Sequence, residues 1–302
     1  GVDSSIIMEL ATRAHPNVTA IILGTKESSD YFNAVKLCKE KNWKYIVVDP
    51  ETNYEKEVKE IIYYLESYEP LLIRHAFAND LVSRKAAELG IKIVLSGEGS
   101  DELFGGYNEF TELLPEDIHR GCIKLIESLS RGHLMRIDKI AMRHTIEVRN
   151  PFFDTVLVKY ALSIPSEFKV SLKEVVATKR ILREIAQEYL PEYIAQRYKV
   201  PFANGAGMQV GTNSTQNDGI LSEMARKNIS DTIFTNISKK YAQYQFKTKE
   251  EVYYFIFYKW FGYAKYKDGE KRLTVKDNLS SLNNLPQEKA SKMLSILLSH
   301  SL

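Results

Sequence analysis

Residues 91–107, IKIVLSGEGSDELFGGY, constrain the fold more than any other part of the chain. Residues 91–95 are β-branched and apolar in alternation, which reads as a short buried parallel strand. Glycine-spaced acids follow at once, Ser96-Gly97-Glu98-Gly99-Ser100-Asp101-Glu102, and then Gly105-Gly106. In an open parallel sheet, ligands bind just outside the carboxyl ends of the strands. Glycines there let the backbone approach a ligand closely. Acids crowded on a tight turn repel each other unless a cation or a proton separates them. Magnesium suits that need, because it takes oxygen ligands and commonly arrives with phosphates. The alternative is a solvated acidic turn capping a helix that starts near Asp101, which leaves the crowd of glycines without a purpose.

The chain opens on Gly1-Val2-Asp3-Ser4-Ser5, followed by the apolar Ile6-Ile7. A glycine, an acid and two hydroxyls at the start of a helix form a phosphate cradle, since helix N-terminal amides and hydroxyls hold an anion. Together, GVDSS and SGEGSDELFGGY resemble the pyrophosphate loop and the later strand-end turn of the glutamine-dependent asparagine synthetases, in their synthetase half. Further matches run in order: Met142, Glu147-Val148-Arg149-Asn150-Pro151-Phe152-Phe153-Asp154, Lys179 with Ile181-Leu182-Arg183-Glu184, then Arg197-Tyr198-Lys199 and Phe202. The resemblance covers residues 1–265.

That resemblance implies a parallel, doubly wound α/β sheet of the PP-loop adenine nucleotide α-hydrolase type, merging into a mostly helical C-terminal half. It implies an AMP-forming amide ligase that takes ATP and Mg²⁺, a carboxylic acid such as aspartate, and ammonia from glutamine or from solution. Gly1, Ser4 and Ser5 then hold pyrophosphate, and Asp3 and Asp101 match the Mg²⁺ ligands, with Asp101 also a candidate for substrate contact. Adenine and ribose lie against the backbone at Leu23-Gly24 and Ser96-Gly97. Glu98 matches the glutamate given a part in adenylation and in the amine step, and Lys199 the lysine that steadies charge at the α-phosphate. Glu147 is the second acid, its alternative being a buried ion pair with Arg149. Arg74 is either a substrate or phosphate contact or a helix-surface ion pair. A glutaminase domain or subunit is the expected partner, absent from this chain, and a homodimer is compatible with the resemblance.

Read in order, the chain alternates helix (4–14), strand (19–23), helix (28–41), strand (44–48), helices (54–68 and 71–89) and the strand at 91–95. That alternation implies right-handed crossovers and helices on both faces of a parallel sheet, whose first strand would precede Gly1. After Tyr107 no further strand is expected, only helices at 121–131, 135–144, 155–162, 177–190 and 248–266. The expected division is therefore a nucleotide-binding part at 1–110, a helical part at 111–267 and a polar tail at 268–302 ending in a short amphipathic stretch. Residues 203–219, rich in Gly, Asn, Thr and Ser, read as a surface loop or a lid that orders on substrates.

A formal charge of +2 excludes a broad basic face for nucleic acid, and no apolar run approaches the roughly 20 residues of a membrane span. Cys38 and Cys122 are too few for a disulfide framework and read as small core residues of a cytoplasmic protein. The rival readings are a β-lactam-forming or macrocyclising relative, a tRNA-modifying ATP pyrophosphatase, and a non-catalytic nucleotide sensor. Retention of Glu98, the charge balance, and the intact set Asp3, Glu98, Asp101 and Lys199 argue against the three in turn.

Overall fold

β-Branched runs form strands at 19–23 and 44–48 as alternation expects, while the strand expected to be buried at 91–95 is shorter and leaves Ile93 and Leu95 exposed. In the computed structural model, which describes residues 1–171, 176–208 and 219–262, β1 (Thr19–Leu23) lies parallel to β2 (Lys44–Val48), with Thr19 opposite Lys44 and Leu23 opposite Val48. Around them stand α1 (Val2–Ala14), which begins two residues earlier than expected, and α2 (Ser29–Glu40), whose first turn is capped by the Ser28 hydroxyl. Next come α3 (Tyr54–Leu65) and α4 (Pro70–Glu88), then β3 (Ile93–Leu95) and α5 (Ser100–Phe104). The helices α6 (Pro115–Ser128) and α7 (His133–Arg143) follow.

One strand was not expected. β4 (Glu147–Arg149) lies parallel to β3, Ile93 opposite Glu147 and Leu95 opposite Arg149. It escapes pattern reading because it is three residues long and flanks a single valine with charged side chains. The ladders among the described residues are two separate parallel pairs, β1 with β2 and β3 with β4. They do not form the single doubly wound sheet expected from the sequence.

The remaining helices are α8 (Thr155–Ser163), α9 (Ser166–Lys169), α10 (Arg180–Gln187), α11 (Glu192–Ala195), α12 (Phe202–Gly205), α13 (Ile220–Asn228), α14 (Asp231–Lys240) and α15 (Lys249–Trp260). Asp154 caps α8 by accepting from the Val156 and Leu157 amides, as its position suggested. Within the loop expected at 203–219, residues 209–218 lie outside the described residues, as does the whole tail at 268–302.

Contacts divide the chain into two units. One comprises Gly1–Glu51 and His75–Met208. A core cluster joins α1 (Val2, Ile6), α5 (Leu103, Phe104), α10 (Leu182, Ala186) and α11 (Ile194) around Phe152. Burying a large aliphatic or aromatic side chain stabilises by about 1.5–3 kcal/mol, so this cluster fixes α1 against α5 and α10. The other unit comprises Thr52–Arg74 and, from position 209 onward, the described residues 219–262. Here Val58, Ile61, Ile62 and Leu65 of α3 are buried, and Phe255 of α15 meets the Tyr68 and Tyr244 rings at 5.5 and 4.7 Å. Thr248 and Glu251 form the capping box of α15, whose aromatic residues pack a core as expected. Both cysteines are free and buried, and burial pushes the Cys38 thiol up to about 11. No helix of the described residues is long and apolar enough to cross a membrane.

Candidate active site

The two sequence motifs meet at Gly97. Because α1 begins at Val2, Asp3 and Ser4 lie in its first turn, where amides lack helical acceptors, and the Ser5 amide makes the first helical bond, to the Gly1 carbonyl at 3.2 Å. A Cβ on Gly97 would come 2.9 Å from the Ser4 amide nitrogen and 3.0 Å from the Asp3 Cβ. Only glycine lets the acidic turn lie this close against the start of α1.

The turn itself is held at both ends. The Ser96 amide donates to the Arg149 carbonyl at 2.9 Å, extending the β3–β4 ladder by one bond. The Glu98 amide donates to Ser96 Oγ at 3.2 Å. Gly99 then takes a left-handed φ of 100° to start α5, and Ser100 and Asp101 enter the helix.

Two lysines supply the cations that the acids demand. Lys179 Nζ lies 2.7 Å from Asp3 Oδ1 and 2.7 Å from Asp101 Oδ1, and it donates to Ser100 Oγ at 2.9 Å. Lys199 Nζ donates to Asp101 Oδ2 at 2.6 Å. A Cβ on Gly106 would fall 2.1 Å from Asp101 Oδ1 and 2.2 Å from Lys179 Cε, so this glycine makes room for the pair. Lys179 is sealed at 2% side-chain exposure, whereas Asp3 at 17% and Lys199 at 29% face solvent. Burial pushes the Asp3 carboxyl up, but Lys179 and Lys199 outweigh it and hold the group at about 2. For Lys199, burial favours the neutral amine, and the charges of Asp101 and Asp3 prevail and raise its pKa.

The same residues fit a hard divalent ion. Asp3 Oδ1 and Asp101 Oδ1 converge on one point, now taken by an ammonium, and Asp101 Oδ1 is buried without a hydrogen bond. Carboxylate oxygens are the donors magnesium takes, and these two would have to be completed by ligands from outside the protein, since no group of three or more His, Cys, Asp or Glu side chains gathers among the described residues. The sequence reading asked for a cation and named magnesium, but the structure shows lysine ammonium groups between and beside the acids. Lys179 carries no signal in the sequence beyond its place in a motif.

Glu98 lies beside this cluster. Arg136 of α7, itself buried, donates from Nη2 to Glu98 Oε1 at 3.3 Å and from Nε to Asn79 Oδ1 at 2.9 Å. Nothing local in the sequence pointed to Arg136, which reaches Glu98 across 38 positions. Glu102 faces the other way, accepting from the Tyr107 hydroxyl at 2.5 Å with His133 Nδ1 at 3.5 Å. Burial raises the Glu102 carboxyl, and His133 and Tyr107 more than offset it, so it is held low.

Other expected site residues lie elsewhere. Leu23 is buried at the end of β1, and the Gly24 amide donates to the Val48 carbonyl at 3.0 Å, so both mark a strand end. Glu147 stands on β4 opposite Ile93 and accepts from Arg149 Nε at 2.7 Å. That pair is exposed on both sides, not buried as the alternative reading held. Arg74 belongs to the second unit. It is fully buried and donates to Glu250 through Nε at 3.0 Å, to Glu250 again through Nη2, and to Ser222 Oγ at 2.9 Å. The expectation of a helix-surface ion pair is thereby corrected: Leu71, Leu72, Ile73 and Phe77 surround Arg74 in sequence, and that turn of α4 turns inward.

The sequence pattern of the asparagine synthase family matches residues 1–117 and 111–255. A putative glutamine-hydrolyzing asparagine synthetase 1 of Methanocaldococcus jannaschii is 33% identical over 241 residues, 68% of this chain and 44% of its own length. Asparagine synthetase (glutamine-hydrolyzing) 3 of Arabidopsis thaliana is 34% identical over 68% of this chain and 35% of its own. The nodule enzyme of Pisum sativum is 34% identical over 72% of this chain and 36% of its own. The chain thus spans less than half the length of these relatives. With matches along most of its length and with both motifs joined at one strand end, the chain belongs to the asparagine synthase family, whose α/β fold is of the PP-loop type.

Proposed function

We propose that the chain is the synthetase part of an ATP-dependent, AMP-forming amide ligase. It activates the side-chain carboxylate of aspartate as an acyl-adenylate and transfers ammonia to give asparagine, AMP and pyrophosphate. The observation that carries this reading is the convergence of Lys179 and Lys199 on Asp3 and Asp101, where the acidic turn meets the first turn of α1.

The chemistry asks for each part. Pyrophosphate is held by the first amides of α1 at Gly1 with the hydroxyls of Ser4 and Ser5. Adenosine lies along Leu23-Gly24 and Ser96-Gly97 at the strand ends. A carboxylate oxygen of aspartate attacks the α-phosphorus, and the bond to the β-phosphate oxygen breaks. Lys199 offsets the negative charge that builds there, with Lys179 behind it. Asp3 and Asp101 are the residues that would hold magnesium, which would supply positive charge to offset that of the leaving pyrophosphate. Ammonia then attacks the acyl carbon, AMP leaves, and Glu98, oriented by Arg136, accepts the proton that the new amide nitrogen must lose. Glu147 is assigned a lesser part as a second acid. The names of the relatives, all glutamine-hydrolyzing, favour a glutaminase domain or subunit as the ammonia source.

ATP–pyrophosphate exchange screened against aspartate and other carboxylic acids tests the reading. Exchange that depends on aspartate, followed by asparagine when ammonia is added, is the expected result. Exchange with a different acid alone would replace the substrate, and no exchange with any acid would remove the ligase assignment. Glu98→Gln should lower amide formation more than exchange, by about 10²–10⁴-fold, as lost proton transfer does.

A further inference from the structure

The two site lysines stand on separate stretches of chain, and both stretches are tied to one guanidinium. Arg183 of α10 is 3% exposed. Its Nε donates to the Thr178 carbonyl at 2.8 Å, and its Nη1 donates to the carbonyls of Ala195 at 2.6 Å and Arg197 at 2.9 Å. Thr178 immediately precedes Lys179, and Arg197 lies two positions before Lys199. All three acceptors are main-chain carbonyls, so this arginine holds backbone.

We propose that Arg183 is a positioning residue for the reaction, setting Lys179 and Lys199 at one spacing about Asp101. The inference rests on the function proposed above. Lys179 has a φ of 55°, a left-handed conformation that is unfavourable for a residue with a Cβ. Something must hold it there. Arg183 does so from both sides: its side chain grips the Thr178 carbonyl, and its own amide donates to the Lys179 carbonyl at 3.0 Å. On the far stretch, the Arg197 guanidinium lies 2.6 Å from Asp30 and also donates to Ser29 Oγ at 2.8 Å. The segment leading to Lys199 is thereby held by α2 as well as by Arg183. Three carbonyls around one planar fork suit arginine alone, because lysine offers a compact ammonium on a flexible stem.

Arg183→Lys in the full chain, alone and with Lys199→Ala, is the test. ATP–pyrophosphate exchange should fall about 10–10²-fold through kcat, the scale of a small misplacement of catalytic groups. KM for ATP should move by less than about threefold, since the phosphate cradle of α1 is untouched. In the Lys199→Ala background, Arg183→Lys should add clearly less than it costs alone, because the arm that sets Lys199 no longer counts and only the Lys179 arm remains. Hydrogen exchange should quicken together at residues 178–183 and 195–199. Wild-type kcat in Arg183→Lys, a fully additive loss in the double variant, or loosening of one stretch without the other would each overturn the proposal. If Arg183→Lys fails to fold, Arg183→Gln, which keeps one donor group, is read by the same criteria. A wild-type chain without exchange removes the ligase reading, whereas hydrogen exchange judges the clamp without reference to activity.

Discussion

Two buried ion clusters, one in each unit, obey opposite rules. In the second unit, Arg74 and Glu250 are 0% and 3% exposed. Glu250 accepts from Arg74, from Ser222 Oγ at 2.6 Å and from the Tyr254 hydroxyl at 2.8 Å. One positive charge meets one negative charge, and hydroxyls take up the remaining lone pairs. In the first unit, two lysines face two aspartates, part of the cluster is open to solvent, and Asp101 Oδ1 is buried without a hydrogen bond. A closed, fully hydrogen-bonded network braces a fold, whereas one that faces solvent and leaves a carboxylate oxygen without a hydrogen bond can take a ligand. On the function proposed above, completeness of pairing, not burial, separates the brace from the site.

Glu250→Ala attacks the brace and should show the largest effect. It strands a fully buried guanidinium, which costs about 3–5 kcal/mol of stability. Thermal or urea denaturation measures the loss, and activity per folded molecule should stay unchanged. Lys199→Ala attacks the open cluster and should do the reverse. Exchange should fall on the order of 10²–10³-fold, as when one preorganised donor is lost. Stability should shift by less than about 1 kcal/mol, since the ammonium is partly exposed. If Lys199→Ala destabilised as strongly as Glu250→Ala, the contrast between brace and site would collapse.

The sequence makes some of this legible and hides the rest for physical reasons. Strands at 19–23 and 44–48 announce themselves by alternation and β-branching, and Asp154 and Thr248 by capping chemistry. Asp3, Glu98 and Asp101 are visible because glycines and hydroxyls crowd around them in short motifs, whereas Lys199 is visible only through the family resemblance. Lys179 is harder: its left-handed backbone follows a stretch without periodicity, and it meets Asp3 across 176 positions. Arg74 gave a signal that the helix-surface reading overlooked. Leu71, Leu72, Ile73, Ala76 and Phe77 make that turn of α4 apolar all round, the mark of a buried helix. A charge there needs a buried partner, but no local rule names one so far away as Glu250. β4 was hidden because three residues with two exposed charges carry no alternation to read.

A smaller effect sharpens the contrast through pH. Lys179 and Lys199 hold Asp3 near 2, below its ordinary 3.8, so the folded state favours the carboxylate. The stabilisation is therefore complete above about pH 5 and is lost as pH falls through 4 towards 2, with a size on the order of 2 kcal/mol. Urea denaturation of wild type and Asp3→Asn across that window should give curves that converge at the acid end. Parallel curves would mean that Asp3 is not held charged by the lysines.

The smallest effect is expected at Glu147, and it decides whether a third kind of ion pair exists here. Glu147 and Arg149 are 58% and 57% exposed, so their 2.7 Å contact is screened and should contribute less than about 1 kcal/mol to stability. Glu98 differs in what holds it: Arg136 is buried and is itself fixed by Asn79, so the Glu98 carboxylate is preoriented. Glu147 stands opposite Ile93, two residues short of the strand end, on a partner free to swing into solvent. Glu147→Gln should therefore lower amide formation less than Glu98→Gln does when pyrophosphate and amide are followed in one single-turnover reaction. An equal loss from both variants would require the Glu147–Arg149 pair to open in the working enzyme and share the proton with Glu98. Completeness of pairing would then mark function only in the resting state, and an exposed, satisfied pair would have to be counted within the site.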